Sequence, residues 1–342
     1  MRLSCLYKLS GYVLIDKRAV CGYNLINISP MPLWQHMHTW GRFDLGDIYM
    51  ADKDFKSLDE QLIILRSRGL IITDEGKAKE FLLHNNYYRV SGYSLTLRKR
   101  DVFSKSASFQ NIIDIYSFDH ELRHIILKYI EIIEIKMKSV YAYEFTKVHG
   151  ATGYLDNSLF LNKQKHSEIL SKSESQKKTR LPHEAYLKHY VNDLKQDIPL
   201  WSYVDLLTIA DISFLYTITE DTIKRAVANS FGLKMSQGQR ILGQFMHSMT
   251  IIRNLCAHGS RIYNRLFEQK PSLNKKELAI LIKREDGTVD NAHFYGFVLI
   301  MKRLLTTEDF SSMKDELIKT TVKYPFVNMK YYGFRDDWQN QI

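Results

Sequence analysis

The chain has 342 residues, of which 45% are hydrophobic and 25% charged, so it can bury one large core or two modest ones. Its formal net charge of +10 favours an acidic partner such as nucleic acid, although a basic surface without function has the same composition. No run of 18 or more apolar residues occurs, so no membrane-spanning helix is predicted. Charged residues interrupt the apolar N-terminus too early for a secretory signal peptide.

Cysteine usage indicates a reducing compartment. The three cysteines are odd in number and far apart in the chain: Cys5, Cys21 and Cys256. A disulfide framework is therefore not expected, and we predict a cytoplasmic protein. Cys256 with His258 lacks a second ligand pair at metal spacing, and the cluster of Trp34, His36 and His38 is no better, so we expect no metal and no cofactor.

The first 50 residues have mixed, poorly periodic hydrophobicity, and we interpret them as an N-terminal extension of uncertain status. Met50 directly precedes the point where helical periodicity begins, so it is a candidate for the true start of the protein. Residues 51–338 are predicted to form one helical domain.

Helix signals begin at Ser57, which forms a capping box with Glu60 ahead of an apolar periodic run. A second helix is predicted near Glu75–His84, followed by a turn at Tyr87–Tyr93. The aromatic residues of that turn, beside Arg89, either pack a helix junction or stack on bases.

The longest helical pattern spans Phe109–His149. One apolar face carries residues at helical spacing: Leu122, Ile125, Ile126, Tyr129, Ile130, Ile133, Met137 and Val140. Glu131, Glu134 and Lys138 lie on another face. They form ion pairs on the helix surface or stand beside the site described below.

Residues 162–197 are the most polar part of the chain, with eight basic and five acidic side chains and a net charge of +3. Within this basic insert, Ser171–Thr179 is predicted to be an exposed loop, either an RNA-contacting element or a solvated connector. Helices follow from Leu200, at Ile223–Phe231 and at Ser236–Cys256.

The C-terminal region contains a predicted loop over 268–290, an amphipathic helix from Phe294 to Leu305 and a last helix near Asp309–Val322. Strand candidates are limited to Tyr93–Leu97 and Ala279–Ile282. The sequence therefore predicts an all-α fold with little or no sheet.

The segment most suited to chemistry runs from Ile251 to Arg265. If its helix continued to the end, one face would carry four polar residues: Asn254, His258, Arg261 and Arg265. Arg253 would project from the flank, and Gly259 could interrupt the helix and rotate its second half.

These residue types suit a phosphodiester. Histidine accepts and returns a proton near neutral pH, and arginine offers a charged planar fork that matches phosphate oxygens. In RNA the 2′-OH can attack the adjacent phosphate, with His258 assisting proton transfer and Arg253 stabilising the transition state. The same spacing also fits a structural histidine whose hydrogen bonds are satisfied, with arginines that face solvent. Arg-x4-His is a short pattern, so many sequences match it by accident.

The motif resembles the "RN-x-x-AH-x-x-R-x-x-N-R" signature of the bacterial Abi (abortive infection) family, in its AbiD/AbiF-like group, which looks like a branch of the HEPN superfamily. Other segments resemble that family in the same order: Asn86–Tyr93, Ile115–Arg123, Ile198–Trp201, Tyr324–Pro325 and Gly333–Trp338. The resemblance covers residues 55 to 338.

The resemblance implies a HEPN-like helical bundle with helical elaborations and a toxin-like, metal-independent endoribonuclease of phage defence. It also implies a homodimer in which two copies of the motif face each other. Arg253, Asn254 and His258 would be catalytic, and Arg261, Asn264 and Arg265 would bind RNA. A neutralising RNA or protein partner is a further expectation. The alternatives are a non-catalytic RNA-binding or protein-interaction module, and a structural protein with a buried Arg–His–Asn network.

Overall fold

A computed structural model describes residues 54–342, and α-helix dominates them. The helices in this part of the chain are, in order, α1 (Leu58–Ser67), α2 (Glu75–Asn85), α3 (Tyr87–Tyr93), α4 (Phe109–His149), α5 (Lys163–Arg180), α6 (Ala185–Lys188), α7 (Leu200–Tyr203), α8 (Ile209–Ile218), α9 (Asp221–Ser230), α10 (Gly238–Ala257), α11 (Lys275–Ala279), α12 (Tyr295–Leu304) and α13 (Thr307–Lys323). Two short strands, β1 (Arg98–Lys99) and β2 (Val102–Phe103), pair in an antiparallel hairpin. The prediction of an all-α fold with little sheet is confirmed.

Helix α4 is the axis of the fold. It is 41 residues long and uninterrupted, and α3, α7, α8, α9, α10, α12 and α13 all pack against it. The predicted apolar face is confirmed, since every member except the partly buried Val140 is buried. Such a long helix is stabilised by burial along its length, because isolated helices gain little from propensity alone.

Local sequence signals place several helix ends. The Ser57 hydroxyl accepts a hydrogen bond from the Glu60 amide, and the Ser57 amide donates one to the Glu60 carboxylate. The predicted capping box is therefore confirmed. Predicted helices near 75–84, 109–149, 223–231, 236–256, 294–305 and 309–322 correspond to α2, α4, α9, α10, α12 and α13.

Several local predictions are wrong. Tyr87–Tyr93 is the helix α3 rather than a turn, because Asn86 adopts a positive φ and caps it through its side chain. Neither strand candidate forms a strand, and the loop predicted over 268–290 contains the short helix α11.

The predicted loop Ser171–Thr179 lies inside α5. Helix α5 buries His166, Ile169 and Ser173, and Lys172 forms an ion pair of 2.9 Å with Asp211 of α8. Three further ion pairs are formed by α5 residues: Lys165–Glu168, Lys177–Glu174 and Arg180–Glu184. The sequence did not indicate this helix, because most of its residues are polar and only a narrow stripe of them is buried.

Asp119, in the first half of α4, is fully buried and joins four distant parts of the chain. It forms an ion pair with Arg123 one turn later. It accepts hydrogen bonds from the hydroxyls of Tyr93 (2.8 Å) and Tyr332 (3.1 Å). The backbone amides of Ile262 (3.2 Å) and Tyr263 (2.9 Å) donate to the same carboxylate. Hereafter these residues are called the Asp119 cluster.

The cluster holds a buried charge at low cost only because all its partners are donors. Burial, and after it the charge of Asp119, raises the pKa of the Tyr93 and Tyr332 phenols well above the usual range. Both phenols therefore keep their protons and donate them to the carboxylate. A buried carboxylate with five donors is stabilising where an unpaired one would be strongly destabilising.

Among residues 54–342 no helix is long and apolar enough to cross a membrane. The predicted cytoplasmic location stays a prediction. The interpretations of residues 1–50, including Met50, Cys5, Cys21 and the cluster from Trp34 to His38, lie outside the described residues.

Replacing Asp119 tests the role of the cluster in the fold. Asp119→Asn removes the charge that Arg123 faces, so we expect a loss of about 3–5 kcal/mol in unfolding free energy, as for breaking one side of a buried pair. Urea unfolding followed by circular dichroism measures it. Glu131→Gln, an exposed substitution on the same helix, is the matched control and should change stability by less than about 0.5 kcal/mol. A loss of under about 1 kcal/mol for Asp119→Asn would contradict this role.

Candidate active site around Arg253 and His258

Helix α10 carries Arg253 and Asn254, His258 is its C-cap residue, and Gly259 follows the cap. Leu242, Phe245, Met249 and Ile252 are buried in the core and anchor the helix. Its last turn closes with hydrogen bonds from the Gly259 amide to the Cys256 carbonyl (3.0 Å) and from the Ser260 amide to the Leu255 carbonyl (2.9 Å). This is a Schellman motif, and Gly259 adopts the positive φ of 63° that it requires.

The helix end corrects the predicted polar face. His258 is the C-cap residue of α10, so Arg261 and Arg265 lie in the following loop and not on the helix. Arg261 donates to the Tyr263 carbonyl, and Arg265 lies over the ring of Phe267. Both residues are half-buried, and burial lowers the pKa of both guanidinium groups.

Asn264 also belongs to this loop. It adopts a φ of 49°, and its amide donates to the Tyr331 carbonyl at 3.0 Å. The RNA contacts predicted for Arg261, Asn264 and Arg265 stay predictions, but they arise from a loop and not from one face of a helix.

The His258 imidazole is exposed at the end of α10 and has no side-chain hydrogen bond to any residue in 54–342. Asn254 is exposed as well, and its side-chain oxygen accepts from Arg253 (3.4 Å). The alternative of a buried Arg–His–Asn network is therefore wrong. Both side chains are instead available to a ligand.

Arg253 faces a groove between α4, α7 and α10, which we call the α4 groove. The groove has a volume of about 790 Å³. The Arg253 side chain is 40% exposed, and its Nε lies 4.0 Å from a carboxylate oxygen of Glu134. Glu134 also forms an ion pair of 2.9 Å with Lys138. The predicted helix-surface pair is confirmed, and Glu134 stands beside Arg253 as well.

The side chains of Arg253 and His258 do not form a hydrogen bond with each other. Five residues of helix place them about 7.5 Å apart along the axis and about 140° apart around it. In one chain the two side chains therefore leave the helix on different sides.

The loop after His258 is held from three sides. Arg89 of α3 donates to the Gly259 carbonyl, directly after His258, and also to the Tyr116 hydroxyl of α4 at 3.3 Å. Asp119 accepts the amides of Ile262 and Tyr263. Since Asn264 is bonded to Tyr331, the loop has little freedom. The position of His258 is therefore set by tertiary contacts and not by α10 alone.

Glycine at position 92 makes one of these contacts possible. A Cβ at this position would lie 3.4 Å from Nε of Arg261. The bare backbone of α3 thus gives Arg261 room to lie against it.

Sequence reasoning missed the part played by Asp119, Arg89 and Trp201. All three lie in segments that carry the family resemblance, so the resemblance was the available signal. What it could not show is that Asp119 and Arg89 hold the His258 loop, or that Trp201 lines the same groove as Arg253.

The pair His120 and His124 on α4 was also missed. Their Nε2 atoms are 3.3 Å apart, and both side chains are exposed. Burial of its ring, and after it the neighbouring His124, lowers the pKa of His120. Among residues 54–342 no group of three or more His, Cys, Asp or Glu side chains is placed to hold a metal ion.

Cys256 is a packed thiol. It is 4% exposed, and burial raises its pKa to about 12. A nucleophilic role for this thiol is therefore not supported.

The fold and the site define an all-α protein that presents an exposed histidine at the end of a buried helix, with an arginine five residues earlier in an open groove. Residues 80–264, more than half of the chain, match the family model described as Abi-like protein, and the chain belongs to that family. Membership implies a role in abortive infection, a defence against phage. No curated protein and no solved structure gives a significant match.

Alkylation of Cys256 tests the packing at the end of α10. With a pKa of about 12 the thiol is almost fully protonated at pH 8, so iodoacetamide should modify it about a thousand times more slowly than a free thiol. Mass spectrometry of the peptide that contains Cys256 measures this rate. The same peptide in 6 M urea is the control and should be modified rapidly. Equal rates in both conditions would show that the helix end opens readily.

Proposed function

We propose that this protein is a metal-independent, toxin-like endoribonuclease that acts in abortive infection, of the AbiD/AbiF-like group within the HEPN superfamily. The observation that carries the proposal is an imidazole, His258, which is exposed and unbonded within residues 54–342 although its backbone is held tightly. Structural histidines are usually buried and hydrogen-bonded, whereas an acid–base group must reach its substrate. Family membership supports the defence role.

The proposed reaction is an internal transfer at phosphorus. The 2′-OH of a ribose attacks the adjacent phosphate, the P–O5′ bond breaks, and the products are a 2′,3′-cyclic phosphate and a 5′-OH. One group takes the 2′ proton and another gives a proton to the leaving oxygen. His258 serves in these transfers, and Arg253 stabilises the charge that develops on the phosphoryl oxygens. Asn254, next to Arg253, orients the reacting groups.

A homodimer accounts for both proton transfers. One chain offers a single motif histidine, whereas the step requires a base and an acid. In a dimer with the α10 ends facing each other, two copies of His258 and Arg253 line one cleft. Arg261, Asn264 and Arg265 would contact the RNA on either side, in keeping with a net charge of +10 over the whole chain.

Cleavage of total RNA in EDTA is the direct test of the activity. Wild type should cleave and leave cyclic-phosphate ends, whereas His258→Ala should lose about 10²–10⁴-fold in rate and Arg253→Ala about 10²–10³-fold. His247→Ala and Arg240→Ala, two exposed positions on the same helix, are the matched controls and should cleave like wild type.

Circular dichroism must first show that all variants are folded. If no protein cleaves but the arginine substitutions weaken RNA binding, the non-catalytic RNA-binding alternative is correct. If His258→Ala cleaves as fast as wild type, the proposed role of the histidine is wrong.

Mixing two inactive variants tests the shared cleft. Sedimentation should give twice the chain mass of 40.2 kDa. When Arg253→Ala and His258→Ala proteins are combined, the heterodimer keeps one copy of each side chain in the common cleft. Cleavage should therefore rise above that of the His258→Ala homodimer but stay below wild type, because one of the two proton-transfer groups is missing. The double variant mixed with itself is the control without recovery. An active monomer, or a mixture without any activity, would contradict the dimeric site.

A further inference from the structure

The α4 groove exposes large apolar side chains in a way that a solvated surface rarely does. Ile135 is 60% exposed, Tyr143 65% and Trp201 56%, and all three line the groove. The buried Ile130, Ala142 and Val204 are also among its lining residues. Contiguous apolar side chains with a polar rim mark a binding surface.

The groove carries the opposite charge to the chain as a whole. Five charged side chains line it, and three of them are acidic: Glu131, Glu134 and Asp205 against Lys138 and Arg253. The chain has a net charge of +10, while the groove has a net charge of −1. Its only two cations both lie close to Glu134.

Two of the carboxylates are available to a ligand. Glu131 and Asp205 are exposed, and neither forms an ion pair with any residue in 54–342. They would repel a phosphate backbone laid along the groove and would attract ammonium or guanidinium groups. The groove therefore suits apolar side chains accompanied by lysine or arginine better than it suits an RNA strand laid along its length.

A second copy of this chain, docked groove to groove, is also a poor occupant. An isologous contact would place two grooves of the same net negative charge against each other. Like charges brought together in this way disfavour the contact. The proposed dimer through the α10 ends does not require this pairing.

We propose that the α4 groove binds a basic, apolar segment of a partner protein. The lining stretch of α4 runs from Leu127 to Thr146, about 28 Å at 1.5 Å per residue, which accommodates an amphipathic helix of four to five turns. Its apolar side chains pack against Trp201 and Tyr143, while its cations pair with Glu131 and Asp205.

Binding there has a consequence that rests on the proposed function. Arg253 lines the same groove, so a bound segment covers one of the two proposed catalytic side chains. A partner of this chemistry would restrain the nuclease by occupying the groove. The binding itself requires no activity.

Binding of two synthetic helical peptides to the full chain tests the proposal. Both probes are 16-residue amphipathic helices with leucine on one face, and they differ only in lysine or glutamate on the other. By fluorescence anisotropy, the lysine peptide should bind at least about ten-fold more tightly than the glutamate peptide. Equal affinities, or no binding of the lysine peptide, would overturn the proposal.

Groove variants locate the site. Trp201→Ala, and separately the double variant Glu131→Lys with Asp205→Lys, should each weaken the lysine peptide about ten-fold. The controls are Val322→Ala, at an apolar position 73% exposed outside the groove, and Glu285→Lys with Glu308→Lys, which makes the same change of charge at exposed sites. Controls that weaken binding as much as the groove variants would overturn the assigned site.

Two further results separate this proposal from its alternatives. If the peptides do not bind but Trp201→Ala converts a dimer to a monomer in sedimentation, the occupant is a second copy and the proposal is wrong. If the lysine peptide binds and the wild-type protein shows no ribonuclease activity, the groove assignment holds while the proposed function fails.

Discussion

A buried carboxylate organises this protein. Asp119 is enclosed by a guanidinium, two phenol hydroxyls and two backbone amides, so its charge is compensated from every side that the structure shows. Removing any one donor leaves an interior charge less well solvated, which is more costly than the loss of an ordinary surface bond. The helices around α4 can vary in their apolar packing, but this arrangement of donors requires particular side chains at particular positions.

The same carboxylate links the core to the candidate site. Because Asp119 binds the amides of Ile262 and Tyr263, and Arg89 binds the Gly259 carbonyl, the backbone on the C-terminal side of His258 is fixed from the core. On its N-terminal side the histidine is fixed by a helix with a buried apolar face. The imidazole is thus mobile only about its own side-chain torsions, which is the preorganisation that an acid–base group requires.

Much of the fold could be predicted from the sequence because its signals are local. The capping box at Ser57 and the apolar period of α4 depend on neighbours within a few residues. Helix α5 escaped prediction because it buries only a narrow stripe, and α3 because its start depends on the positive φ of Asn86. In the site, Arg253 and His258 could be singled out by their chemistry. The half-buried positions of Arg261 and Arg265 could not be predicted. They follow from the turn at Gly259 and from contacts of this loop with residues more than 100 positions away.

The residues of the Asp119 cluster are far apart in the chain, so the ribosome makes them at different times. Tyr332, which donates to Asp119, and Tyr331, whose carbonyl accepts from Asn264, are made well after the loop that they hold. Until they emerge, the loop after His258 lacks two of its attachments, whereas α4 has long been available to fold. The catalytic arrangement proposed for this protein is therefore completed only after the chain beyond α13 has been made, which would delay the proposed ribonuclease activity during synthesis.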